Sequence, residues 1–137
     1  MDAAVWTNDY IGIPFKGKGR ERDEGLDCWG LARVVYHEQF GIMLPSMIGG
    51  YKSTNDMVLI QELIDANRSE WQEAKTPRVG DIVTLSVMGY ETHLGIYVGN
   101  ERMLHVMKGQ DTCLQNLASA GWSKRVTGYY RHAQMTN

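Results

Sequence analysis

The sequence predicts an α+β domain, with helices packed on a mostly antiparallel sheet of four to six strands. Three observations carry that reading. Pro14, Pro45 and Pro77 divide the chain into an entry segment, a helical first half and a strand-rich second half. Apolar residues recur at helical spacing before Pro77 and fall in short strand-like blocks after it. The length, 137 residues at 43% hydrophobic content, is that of one ordinary domain able to build a core without staples. No repeat, low-complexity block or linker interrupts residues 1–137, so they read as a single domain.

Taken in order, the stretch Lys16 to Gly25 is polar, glycine-containing and charged in both signs, and reads as a loop with solvated charges. A helix should start at Asp27, a preferred N-cap, and run from Cys28 to Phe40. Leu31, Val34 and Val35 supply its apolar stripe, and Gly41 closes it as a C′ residue. Gly30 is a poor helix former in the first turn; it makes sense if something approaches that turn closely. A second helix is expected from Asp56 to Asn67, capped by Asn55.

Strands are expected at Ile82 to Val87, His93 to Val98, Arg102 to Met107 and Val126 to Arg131, with Arg78-Val79-Gly80-Asp81 as the turn into the first. If Gly99, Asn100 and Glu101 form a three-residue loop, Val98 pairs with Arg102 and Gly95 with His105. His93 and His105 then share a face as diagonal neighbours, within reach of a ring hydrogen bond. Leu94, Ile96 and Val98 take the opposite, core-facing side, and Gly95 leaves open space beside His93.

Composition excludes several classes. A net charge of −2 and a charged share of 22% argue against a basic nucleic-acid binder and against an acidic disordered chain. Lys16, Lys18, Arg20 and Arg22 are interleaved with Glu21, Asp23 and Glu24 and offset locally. No apolar run approaches the ~20 residues of a membrane helix, so no membrane insertion is expected. Met1 to Trp6 has neither a basic nor an apolar leader region, and no export signal is read there. Two cysteines, Cys28 and Cys113, are not a disulfide scaffold, and each must be judged by its surroundings.

Cys28 stands first in the predicted helix, where unpaired backbone N–H groups and the dipole favour a thiolate. A thiol pKa depressed by about a unit or more is expected there. The same N–H groups would stabilise an oxyanion. His93 would take the thiol proton and later give it to a leaving amine, and His105 would fix the tautomer and orientation of His93. That is nucleophilic acyl transfer through an acyl-enzyme, with no cofactor. His37 lies about three helical turns from Cys28, and His132 follows the last strand near the terminus; both read as solvated or structural. Cys113 falls in an expected loop with no base beside it.

These residues resemble a known family. Ile13-Pro14-Phe15 and Gly25-Leu26-Asp27-Cys28-Trp29-Gly30-Leu31 are similar to the nucleophile motif of the NlpC-type cell-wall peptidases, a papain-like group. Val79-Gly80-Asp81-Ile82-Val83 resembles the turn and strand before the family's histidine. His93-Leu94-Gly95-Ile96-Tyr97-Val98-Gly99 and Met103-Leu104-His105 resemble the histidine strand and the third polar residue. In detail the chain is similar to the phage tail-assembly branch, through Leu26 to Pro45 and Gly128-Tyr129-Tyr130-Arg131.

The resemblance implies a papain-like fold and cleavage of peptidoglycan stem peptides, typically beside D-glutamate and a diamino acid. It implies a place at the tail tip of the virion, alongside other tail-tip or hub proteins. Such a protein is made in the host cytoplasm and acts in the periplasm or cell wall. It implies Cys28, His93 and His105 as the catalytic set, with Asp27, Phe15, Trp29, Gly30 and Gly95 as oxyanion or substrate-pocket candidates. One departure stands out. Where the family often carries a tyrosine whose hydroxyl binds the oxyanion, this chain has Phe15, and losing one such donor can cost ~10²–10³ in rate. Two other readings remain open at this stage. One is a structural tail protein with a weak or idle site. The other is a zinc site built from Cys28, His93 and His105.

Overall fold

The computed structural model describes residues 5–45, 70–87 and 90–135. The expected second helix, Asp56 to Asn67, lies outside the described residues. A 3-10 turn at Val5–Asp9 leads into two short paired strands, β1 (Arg20–Glu21) and β2 (Gly25–Leu26), and then α1 (Cys28–Val35). Next come β3 (Trp71–Glu73), β4 (Ile82–Val87), β5 (Tyr90–Gly99), β6 (Arg102–Met107) and β7 (Gln110–Asn116), a short helix α2 (Ala120–Ser123), and β8 (Val126–His132). Six of these strands form one antiparallel sheet in the order β3-β8-β4-β5-β6-β7. The α+β architecture is therefore as the sequence predicts. β3 and β7 add to the expected strands, and Cys113 sits in β7 rather than in a loop.

Helix α1 begins where the sequence places it. Asp27 is its N-cap, with the carboxylate accepting from the Gly30 N–H at 2.8 Å. Regular α-helix ends at Val35, short of Phe40; a wider π-helical turn, Tyr36–Phe40, completes the run and Gly41 closes it at φ 68°. Cys28, Trp29, Leu31, Ala32, Val35 and Tyr36 are buried, and they meet Ile82, Leu94, Ile96, Val98, Leu104 and Val106 from the sheet in the main core.

The far side of the sheet is not bare. Val83, Leu85, Met103 and Leu117 form a second apolar cluster there, edged by Tyr97, Trp122, Val126 and Tyr129. The β5–β6 register is the one expected from alternation, with Ile96 opposite Leu104 and Tyr97 opposite Met103. The loop differs from expectation. Gly99 pairs with Arg102, so the turn has two residues, Asn100 and Glu101, both left-handed at φ 53° and 57°. A bulge between Tyr97 and Gly99 supplies the extra residue and restores the parity that a two-residue loop would have broken.

Candidate active site

The cysteine's position is set by the loop folded beneath it. Asp27 is fully buried, and its carboxylate receives the Gly30 N–H, the Lys18 N–H at 3.0 Å and the Arg20 guanidinium at 2.9 Å. The Arg20–Asp27 pair is almost out of water. The charges of the Lys16 to Gly25 loop are thus not all solvated: Arg20 is spent on the helix cap, Arg22 pairs with Glu38 at 2.9 Å, and Lys16 makes an exposed pair with Glu24. Gly30 has a plain reason. A Cβ there would lie 2.0 Å from the Gly19 carbonyl oxygen, so the close approach is made by the protein's own loop.

Cys28 is a free thiol, 5% exposed. Burial pushes its pKa up to about 12, and the neighbouring Asp27 carboxylate pushes the same way. The backbone N–H groups of Leu94 and Trp29 and the charge of Arg20 oppose this, and lose. The expected depressed thiol is therefore corrected. Helix-terminal N–H groups do act on the sulfur, but desolvation outweighs them. Through Leu94 the sulfur lies against β5, one residue from His93.

His93 on β5 and His105 on β6 are brought together as their register requires. Nε2 of His93 and Nδ1 of His105 are 2.9 Å apart, with the rings edge to face. Both rings are buried. Burial, and for His93 also the neighbouring ring, lowers their pKa values to about 3 and about 4. Both imidazoles are neutral at pH 7. The direct contact between two ring nitrogens leaves no room for an ion between them. Among the described residues no group of His, Cys, Asp and Glu is placed to hold a metal.

The other candidates have more ordinary positions. Gly95 does not leave open space: a Cβ there would meet the Met103 sulfur at 2.6 Å and the His105 Cβ at 3.3 Å. Met103, the cross-strand neighbour of Tyr97, fills the gap. Trp29 is buried, with Nε1 donating to the Pro45 carbonyl at 2.8 Å. Phe15 is half-buried, packs on the core and bridges Leu26. Asp27 accepts from Lys18, Arg20 and Gly30 and, as a carboxylate, offers no donor to an oxyanion. His37 is exposed on the helical segment. His132 is not at a frayed end; it is buried in β8 with its ring 4.8 Å from that of Trp71. Tyr10, which has the hydroxyl Phe15 lacks, donates it to Glu38 at 2.7 Å, in the π-helical turn beyond α1.

The profile of the NlpC/P60 family matches residues 12–131. The chain belongs to the NlpC/P60 family. Among curated relatives it is similar to a gamma-DL-glutamyl hydrolase of Bacillus subtilis strain 168, 28% identical over 130 residues, covering 93% of this chain and 28% of that one. It is also similar to the murein DD-endopeptidase MepS/murein LD-carboxypeptidase of Escherichia coli K12, 25% identical over 117 residues, covering 85% of this chain and 54% of that one. The chain thus spans between about a quarter and about half of the length of these relatives. Among solved structures, an NLP/P60 family protein of Staphylococcus aureus Mu50 superposes with a TM-score of 0.64 at 23% identity, covering 96% of this chain and 39% of that one. The NlpC/P60 fold, papain-like in architecture, is thereby established for this NlpC/P60 domain.

Proposed function

We propose that this NlpC/P60 domain is a cysteine peptidase that hydrolyses an amide bond in peptidoglycan stem peptides. Cys28 is the nucleophile, His93 the base and His105 the residue that orients His93. The observation that carries the reading is the imidazole pair, 2.9 Å apart, whose His93 lies on β5, the strand whose Leu94 backbone meets the helix-terminal sulfur. The relatives named as murein and glutamyl hydrolases support the substrate class.

The chemistry follows from the protonation states. With Nε2–H of His93 donating to Nδ1 of His105, Nδ1 of His93 carries the lone pair that can accept a proton. Thiol and imidazole both start neutral. As sulfur attacks the substrate carbonyl, the S–H proton passes to His93, the S–C bond forms and the carbonyl oxygen becomes an oxyanion beside the backbone N–H groups that open α1. Collapse expels the amine, which takes the proton from His93. Water, deprotonated by the same ring, then attacks the thioester, the S–C bond breaks to release the acid, and the ring returns the proton to the sulfur. The bond beside D-glutamate and a diamino acid is the proposed target.

A place at the tip of a long-tailed phage, among tail-tip or hub proteins, is a further part of this reading. It is supported by the similarity of Leu26 to Pro45 and of Gly128-Tyr129-Tyr130-Arg131 to the tail-assembly branch. Mass spectrometry of muropeptides from purified sacculi tests the activity. New termini at a stem-peptide amide are expected; intact stems after prolonged digestion would overturn it. Detection of the chain in purified phage particles, or its absence from them, decides the tail assignment.

A further inference from the structure

The proposed mechanism uses one nitrogen of His105. The other, Nε2, is buried and has no hydrogen-bond partner, the sole such side-chain nitrogen or oxygen among the described residues. What packs on that ring is Trp122, carried by α2. The ring centroids are 5.1 Å apart and the planes meet at 79°, edge to face. Trp122 is half-buried at the rim of the second apolar cluster, and the Arg125 guanidinium lies over its ring with its carbon 5.1 Å from the centroid.

A neutral His–His pair can hold its shared proton in two ways. If His93 donates from Nε2, His105 accepts at Nδ1 and carries its own proton on Nε2, while His93 keeps a lone pair on Nδ1. If His105 donates from Nδ1, its Nε2 is a bare lone pair and His93 is protonated on Nδ1, so it is no base. The hydrogen bond alone does not choose between them. An indole face set against Nε2 would: its electron-rich surface attracts an N–H and repels a lone pair, and the near-perpendicular rings of Trp122 and His105 are compatible with that contact.

We propose that Trp122 is a positioning residue whose indole covers the otherwise unpartnered Nε2–H of His105, and thereby holds the imidazole pair in the arrangement that makes His93 a base. The role rests on the hydrolase reading for its catalytic consequence. The proton arrangement itself is a property of the resting protein.

Long-range 1H–15N correlation spectra of the full chain at pH 7 read both tautomers directly. Wild type is expected to show Nε2–H on both rings, and Trp122→Phe, which keeps an aromatic face, to show the same. Trp122→Leu, which keeps apolar volume alone, should populate Nδ1–H on His105. It should also lower kcat on a stem peptide about fivefold, the factor a contact of this kind is worth, with KM unchanged. Finding His105 protonated on Nδ1 in wild type, or an unaltered tautomer in folded Trp122→Leu, overturns the proposal. Were the Leu variant to fail to fold, the wild-type spectrum still decides. A chain inactive on every stem peptide yet showing Nε2–H on both rings would sink the hydrolase reading and leave this one standing.

Discussion

At the scale of single residues, Cys28 and the two imidazoles are held neutral by the same cause, removal from water. A pre-formed thiolate–imidazolium pair would require charging two groups whose burial opposes it. Two predictions follow from that state. Iodoacetamide at pH 7 should label Cys113, half-buried and held by Gln110, faster than Cys28, with tryptic peptide masses reading the order. Faster labelling of Cys28 would mean that the resting thiol is ionised. Likewise, the acid limb of kcat/KM should fall below about pH 5 rather than near the usual histidine value, because pKa values of about 3 and about 4 leave both rings unprotonated above it. A limb centred near pH 6.5 would contradict this.

The identities of these residues are legible in the sequence, since a cysteine one residue after an N-cap and two histidines of matching strand parity are local patterns. The direction of the thiol's pKa is not. It depends first on how deeply the sulfur is buried and then on the Asp27 carboxylate beside it, with the Leu94 N–H and Arg20 opposing, and burial and the Leu94 and Arg20 contacts are set between elements. Trp122 gives no sequence signal, because what marks it is an orphaned nitrogen 17 positions earlier in the chain.

At the scale of elements, the first turn of α1 is clamped by the loop before it. An alanine in place of a helical glycine ordinarily gains up to about 1 kcal/mol. At Gly30 the added Cβ would meet a backbone carbonyl at 2.0 Å, in a turn itself closed by the Gly19 N–H to the Lys16 carbonyl at 2.8 Å. Overpacking against backbone costs about 1–3 kcal/mol and here also displaces the Asp27 cap, so the clash wins. Gly30→Ala should lower Tm by several degrees and activity with it; a raised Tm would show that the loop yields freely. The sequence hints at this constraint through a glycine in a helix start, while what does the approaching, Gly19, is visible only in three dimensions. The β5–β6 turn teaches a similar lesson. Alternation of Leu94, Ile96 and Val98 fixes which side each residue takes. The division of the connection into a two-residue left-handed turn and a bulge depends on backbone geometry that alternation does not encode.

At the scale of the whole molecule, the sheet is covered on both faces, by α1 on one side and by the α2 cluster on the other, and the catalytic candidates are buried within that sandwich. Stability should therefore depend on pH at both ends. The imidazoles have folded pKa values below their unfolded value of 6.5, so their contribution is full above about pH 6.5 and drains away as the pH falls toward 3. The thiol is raised from 9.0 to about 12, so its contribution is full below pH 9 and is lost as the pH climbs toward 12. Urea denaturation should give a plateau between about pH 6.5 and 9, and Cys28→Ala should lose less stability than wild type between pH 9 and 11. Identical alkaline losses in the two proteins would show that the thiol is not the buried neutral group described.

The reading as a whole turns on whether the sulfur of Cys28 does the cutting. Wild type and Cys28→Ala, shown equally folded by circular dichroism, are to be compared on one purified stem peptide at pH 7 by product mass spectrometry. Hydrolysis by wild type with loss of at least about 10³-fold in the variant is the expected result. Equal turnover by the two proteins would contradict the account.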